Sequence, residues 1–378
     1  MQRIGLPDTR VVVAGAVDID QNGDGIIPRR LSNQWRYQYP LDVEVLASSP
    51  SGVRLAFTTD SKSIGVELLA THFQLGTGEG FRAAIDLVVN RELVESLPFS
   101  EGNAIVVDAK TGSFDFVAGQ PTTVDFADVP DAEFVELWLP SNSTCELRAI
   151  HIDADATISA PPPDHRRRWV HHGSSISHCL EAHSGSRTWP STAAQIGNVQ
   201  LTNVGLAGQC HLDQFTARTI RDHPADLLSL KAGINIVNGD TLRLRTLAPA
   251  LHGFLDTIRE GHPNTPFLVI SPILCPAHEE HAGPSDGSSG TTVALGTPVT
   301  EAQGALTLIQ IREIVSNVVA ARRTAGDPNL HYLDGRMLFH EADLADLPDG
   351  LHPNGDGYIR MGERFAAYAF AADGPFAT

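Results

Sequence analysis

The proline triplet Pro161-Pro162-Pro163 separates two stretches of chain with different periodicities. Such a run stays extended and holds two units apart without a flexible hinge. The stretch before it, residues 1–160, is a succession of short runs that alternate or are rich in β-branched residues. Leu41 to Leu46, Val53 to Thr58, Ile64 to Ala70, Ala83 to Val89, Ala104 to Asp108, Thr122 to Phe126 and Cys145 to Ala154 are among them, with turn clusters at Ser49 to Gly52 and Gly76 to Gly80. Strands at this spacing predict a β-sandwich of jelly-roll type. After the linker, 161–167, the pattern changes over residues 168–378. Strand-like runs at Trp169 to His172, Val199 to Val204, Leu227 to Lys231, Phe267 to Ser271 and Leu330 to Leu333 now alternate with helix-like runs. The helices are expected at Pro190 to Ile196, Leu212 to Asp222, Thr241 to Glu260, Thr300 to Arg323 and Gly355 to Ala371. The alternation predicts an α/β domain whose parallel sheet is covered on both faces. Sheets of this kind place their sites at the carboxyl ends of the strands.

Charge narrows the partners. The 378 residues include 45 acidic and 27 basic side chains, a formal charge of −18. That balance repels phosphate backbones and anionic lipid, so neither nucleic acid nor a membrane is an expected partner. The one basic run, Arg166-Arg167-Arg168, reads as a solvated junction beside a strand. No segment is long and apolar enough to span a bilayer. Met1 to Pro7 lacks the apolar core of a signal peptide, so a cytoplasmic location is the expectation. Cys145, Cys179, Cys210 and Cys275 show no metal-type spacing and are expected as reduced thiols. Asp20-Gln21-Asn22-Gly23-Asp24-Gly25 carries the alternating oxygen ligands of a calcium loop. Its twelfth position is Leu31, however, where a bidentate glutamate is needed, so a hairpin turn is the preferred reading and calcium stays open. No metal is expected at the site itself.

Four short blocks fall at the ends of successive predicted strands or just before the last helix: Gly173-Ser174-Ser175-Ile176-Ser177, Asn203-Val204-Gly205-Leu206-Ala207-Gly208, Lys231-Ala232-Gly233-Ile234-Asn235 and Asp349-Gly350-Leu351-His352-Pro353. Acyl transfer needs a nucleophile, a base, a group that orients the base, and donors for an oxyanion. Ser175 can be the nucleophile and His352 can take its proton. Asp349, three residues before the histidine, can fix the imidazole tautomer if the segment turns. The backbone N–H groups of Ser175 and Gly208 and the side-chain amide of Asn235 can form the oxyanion hole. A lone serine at such a corner is more often a helix cap, and Asn203 reads as a brace for its turn. The joint occurrence of all four blocks is what makes the catalytic reading.

In order and spacing these blocks resemble those of the SGNH (GDSL) hydrolase superfamily, whose name lists its Ser, Gly, Asn and His. Matched block by block, the resemblance gives Ser175, Gly208, Asn235 and His352, with Asp349 completing a triad, in a flavodoxin-like domain over residues 168–372. The family's usual Gly-Asp-Ser is Gly-Ser-Ser here, and its Gly-x-Asn-Asp is Gly-Ile-Asn-Ile. Neither change removes a catalytic group. The layout is similar to a two-domain bacterial branch in which a β-sandwich precedes the SGNH domain. That branch holds carbohydrate esterases and a polyketide-tailoring acyltransferase, and the missing export signal fits the second better.

The resulting expectation is serine-dependent acyl transfer through an acyl-enzyme, from a thioester or ester donor to a small-molecule hydroxyl. A hydrolase of carbohydrate or aryl esters is the alternative. No bound cofactor is expected, and an acyl-coenzyme A thioester is a candidate co-substrate. Pro276 to Val299 is rich in Gly, Ser, Pro and Thr and predicts a long loop serving as lid or substrate wall. His278 in that loop and Trp189 outside it are candidate substrate contacts. Arg243 and Arg245 read as exposed helix positions rather than as contacts to a carboxylate or phosphate.

Overall fold

The structure is a computed structural model that describes residues 1–75, 80–107, 113–131 and 134–377. The turn expected at Gly76 to Gly80 therefore lies outside the described residues apart from Gly80, as does Asp108 at the end of its strand. Two mainly antiparallel sheets form the amino-terminal domain. One is built around Ile64–Leu75 and Ser143–Ile152, the other around Arg54–Thr59, Val135–Trp138 and Ala83–Val89. Their facing side chains, among them Leu55, Phe57, Leu87 and Leu137 against Val66, Leu68, Phe126 and Ile150, close into one apolar core. The sandwich follows from the alternation, because each strand has one face to bury.

One segment departs from its expected form. Leu41–Leu46, read as a strand, is a short helix, α1. Only Val43 in it is buried, so its alternating pattern has no sheet to enter. Glu44 on α1 instead bonds the buried Arg29, with Nη2 to Oε2 at 2.9 Å.

The second domain has five parallel strands: Arg168–Gly173, Gln200–Asn203, Leu227–Lys231, Phe267–Ile270 and Leu330–Leu333, here the first to fifth. Their spatial order is second, first, third, fourth, fifth, the flavodoxin-like arrangement. Between them run α2 (Ser175–His178), α3 (Trp189–Ile196), α4 (Gln214–Asp222), α5 (Ile234–Gly239), α6 (Leu247–Gly261) and α7 (Leu308–Thr324), and α8 (Gly355–Ala369) follows the last. The third and fourth strands are buried throughout, as strands of a doubly covered sheet should be. The stretch after Pro276 is less formless than expected. Ser285–Asp286 and Val293–Ala294 pair as a small hairpin within it. The acidic loop after Gln21 is also a hairpin, in which Asn22 Oδ1 accepts the N–H groups of Asp24 and Gly25. Asp20 there meets Arg36 and Asn33.

Candidate active site

The first strand carries the chain up through the core and delivers Ser174 and Ser175 at its carboxyl end. The two serines do different work. Ser174 Oγ accepts the N–H of Ile176 at 3.3 Å and so caps α2. Ser175 Oγ points away from the helix and lies 2.8 Å from His352 Nε2. On the other side of the ring, Nδ1 is 2.6 Å from Asp349 Oδ2. Asp349 Oδ1 accepts the backbone N–H groups of Leu351 at 2.8 Å and His352 at 2.6 Å, which closes the turn the spacing required. Burial works against the Asp349 charge, but the His352 ring and these N–H groups outweigh it and hold the carboxyl below its usual range. A carboxylate only accepts, so Nδ1 carries the proton and Nε2 is left to accept from the Ser175 hydroxyl.

The remaining donors are the N–H groups of Ser175 and Gly208 and the Asn235 amide. Gly208 has φ +70, and the space where a Cβ would stand is open. Its glycine therefore serves a left-handed backbone that leaves room in front of the N–H. Asn235 sits in the first turn of α5, after Gly233. Gly233 has φ +130, and a Cβ there would strike Pro272 and Ile311, so that corner admits only glycine. Asn235 Oδ1 accepts the Cys210 N–H at 3.0 Å, which turns its NH2 group the other way. Within the described residues, the N–H groups of Ser175 and Gly208 and the Asn235 NH2 have no acceptor. Unpaired donors of this kind are what an oxyanion requires.

Two charged neighbours of His352 escaped the sequence. Glu181 Oε1 is 3.8 Å from Nδ1. Lys231 ends the third strand, fully buried beneath the site, and burial lowers its ammonium to about 8, with the nearby Cys210 and Cys179 acting in the opposite sense. Burial disfavours the His352 imidazolium and Lys231 adds to this, yet Glu181 and Asp349 prevail and the ring is held above its ordinary value. A lysine ending the leucine-rich Leu227–Lys231 was a visible signal; nothing in the sequence tied Glu181 to a histidine so far along the chain.

The sandwich reaches this site. Ser51 Oγ donates to His178 O and Ser141 Oγ to Cys179 O, both at 2.7 Å, and Asn142 Nδ2 donates to Leu180 O at 3.3 Å. They satisfy the carbonyls left over at the carboxyl end of α2. Buried Arg30 donates to the carbonyls of Leu46 at 2.9 Å and Asn203 at 3.2 Å, and also to those of Ser49 and Gly205. His178 Nε2 donates to Ser141 O at 2.9 Å, and its Nδ1 accepts from Ala207 N–H at 3.2 Å, next to Gly208. Asn203 is the brace it was read to be, with Nδ2 bonded to Ser177 O at 2.8 Å and Oδ1 to Gly205 N–H at 3.0 Å.

Two expected substrate contacts are corrected. Trp189 is fully buried, its Nε1–H given to Ile176 O at 2.8 Å and its ring packed against Trp169, His171 and Phe365. His278 is also fully buried; it bonds His281 O at 3.2 Å and Ser285 Oγ at 2.6 Å and so braces the hairpin. Neither presents a surface to a substrate. The hairpin itself adjoins the triad, because Thr292 N–H donates to Asp349 O at 2.7 Å. Arg243 and Arg245 are exposed and precede α6 rather than belonging to it. Among the described residues, no group of three or more His, Cys, Asp or Glu side chains is placed to hold a metal ion, and no helix is long and apolar enough to cross a membrane.

A flavodoxin-like sheet with a Ser-His-Asp relay and three free donors at its carboxyl edge defines an enzyme of the acyltransferase and esterase class. The chain belongs to the GDSL-like lipase/acylhydrolase family, whose model matches residues 172–360, half of its length. A second model, the SsfX3 N-terminal domain, matches residues 11–148. Among solved structures, the chain is similar to the salicylyl-acyltransferase SsfX3 from a tetracycline biosynthetic pathway, with 27% identity over 96% of this chain and 95% of that one and a TM-score of 0.80. A putative GDSL-like lipase from Bacteroides ovatus ATCC 8483 shares the fold at 19% identity, 96% of both chains and TM-score 0.68. A family two carbohydrate esterase from Clostridium thermocellum does so at 12% identity, 94% and 97% coverage and TM-score 0.61. A search of curated proteins finds no match.

Proposed function

We propose that the protein moves an acyl group through an ester on Ser175. The observation that carries this reading is the unbroken relay from Asp349 to His352 to Ser175, at 2.6 and 2.8 Å. His352 Nε2 takes the hydroxyl proton as Ser175 Oγ bonds the carbonyl carbon. The developing oxyanion faces the Ser175 and Gly208 N–H groups and the Asn235 amide. The imidazolium returns its proton to the departing thiol or alcohol, leaving the acyl-enzyme. A second hydroxyl, deprotonated by the same ring, then attacks the ester and regenerates Ser175. The acceptor is a small-molecule alcohol or phenol and the donor a thioester or ester, for which an aryl acyl-coenzyme A is a candidate. The likeness to a salicylyl-acyltransferase along nearly the whole chain supports transfer over hydrolysis.

The test is incubation with an aryl acyl-coenzyme A and a panel of phenols and alcohols. Expected results are an acyl mass adduct on the intact protein, an ester product, and loss of both in S175A, with turnover of simple aryl esters falling roughly 10⁴-fold. Free acid as the sole product for every acceptor would assign a hydrolase instead. Unchanged turnover in S175A would remove Ser175 from the chemistry.

A further inference from the structure

The Nδ1 edge of His352 faces two carboxylates, not one. Asp349 Oδ2 accepts its proton at 2.6 Å, and Glu181 Oε1 lies 3.8 Å from the same nitrogen. That is just beyond the hydrogen-bond range of roughly 3.2 Å. Glu181 is not a loose surface acid. Its other oxygen, Oε2, accepts the Tyr358 hydroxyl at 2.9 Å, and Tyr358 is fully buried on α8. The backbone leading to it is fixed as well, since Ser141 and Asn142 bond the carbonyls of Cys179 and Leu180. Among the described residues no lysine or arginine pairs with Glu181; its one ionic neighbour is His352. A carboxylate held beside a single imidazole, with its own position set by a buried phenol, is placed to answer a charge that appears only when the ring is protonated.

We propose that Glu181 is a second acid for His352, a positioning residue that stabilises the imidazolium formed when Ser175 gives up its proton and takes over Nδ1 when Asp349 is lost. This rests on the reading of Ser175 as nucleophile and His352 as base. During attack the proton moves from Ser175 Oγ to His352 Nε2, while Nδ1–H stays on the ring and points into the paired carboxylates. The groups facing the ring are Asp349 on its own turn, Glu181 beyond α2, the Tyr358 phenol on α8 and the Lys231 ammonium at the end of the third strand. The Cys179 thiol beneath them is buried and pushed well up, hence neutral. Lys231 disfavours the imidazolium and the two acids favour it, so removing the Glu181 charge moves the balance toward a weaker base.

The experiment measures kcat/KM against pH for hydrolysis of an aryl ester by the full-length protein, in wild type, E181Q, Y358F, D349A, the E181Q/D349A double variant and S175A. Activity requires neutral His352, so it rises with pH through the pKa of the ring. E181Q, which keeps the shape and removes the charge, is expected to shift this acid limb down by about half a unit to one unit. Y358F keeps the buried ring but frees the carboxylate, and is expected to shift the limb the same way by less. D349A leaves Nδ1 open to Glu181 and should retain activity that the double variant loses by about a further 100-fold, against a loss of under about 5-fold for E181Q alone. A residue that only supports the fold would lower activity at every pH and leave the limb in place. An acid limb unmoved in both E181Q and Y358F overturns the proposal, and so does a double variant whose loss is merely the product of the single losses. Wild-type turnover in S175A would be a different failure, that of the nucleophile assignment beneath it.

Discussion

At the scale of residues, the Asn235 amide is oriented by a single backbone bond. Because Oδ1 accepts the Cys210 N–H, the NH2 group is turned away from that bond and has no acceptor among the described residues. N235A is therefore expected to lower kcat for an aryl ester by about 10²- to 10³-fold, the usual effect of losing one oxyanion donor, with a smaller effect on KM. A loss below about 5-fold would take Asn235 out of the site. Asn235, Ser175, Gly208, Asp349 and His352 were singled out because their four blocks occur together at strand ends or turns, in the order of the family they resemble, where any one of them alone reads as an ordinary cap or turn. Glu181 was not, because its meaning depends on Tyr358 and His352, which come to it only through the fold. Trp189 and His278 misled for the converse reason: a sequence shows that an aromatic or imidazole ring is present, not which way it points. Both turn inward, where Ile176 O and Ser285 Oγ take their polar atoms.

Two strands were read to the residue. Leu227–Lys231 and Leu330–Leu333 coincide with their expected runs, the first buried along its whole length and the second at its two leucines. Helix starts were read less well. α7 begins at Leu308, not Thr300, because Thr307 and Gln310 form a capping box there, a signal present in the sequence and passed over. The first strand and α2 together hold His171, His172 and His178, all fully buried. Burial lowers each of them, His172 to about 4, and drives His171 and His178 well below the usual value. The sign follows directly. The unfolded chain binds protons at these rings below pH of about 6.5 and the folded one does not, so the stability they allow is complete above that pH and is lost as pH falls toward 4. For His172 alone the full loss is about 3 kcal/mol. Thermal melts should therefore show Tm falling steeply between pH 6.5 and 4.5, and H172F, which keeps a ring against Phe254, should flatten that slope. A Tm independent of pH across this window would mean that the rings are protonated in the fold or exposed to water.

For the molecule as a whole, the question is why a catalytic domain with its own sheet and core carries a sandwich at all. Four-residue α2 is too short to persist alone, and its terminal carbonyls are met by Ser51, Ser141 and Asn142 from the sandwich. Arg30 ties the same domain to Asn203 and Gly205 on the loop that leads to Gly208. This guanidinium is fully buried and has no carboxylate partner among the described residues; burial lowers it to about 9, while it bonds four carbonyls and lies against the His178 ring. A buried arginine that serves four carbonyls is costly to remove, because each is then left in the interior without a donor. R30M is accordingly expected to destabilise the protein by roughly 3–5 kcal/mol and to lower kcat more than KM, since the Ser175 corner and the loop leading to Gly208 lose their common brace. The same linkage predicts that the two domains unfold together. Trp138 lies in the sandwich, whereas Trp35, Trp169 and Trp189 pack on the core of the second domain, so urea unfolding followed by circular dichroism of the wild type and by fluorescence of W138F should give one midpoint, displaced equally in both by R30M. Two separated midpoints would show that the sandwich is an independent module and that α2 keeps its place without it.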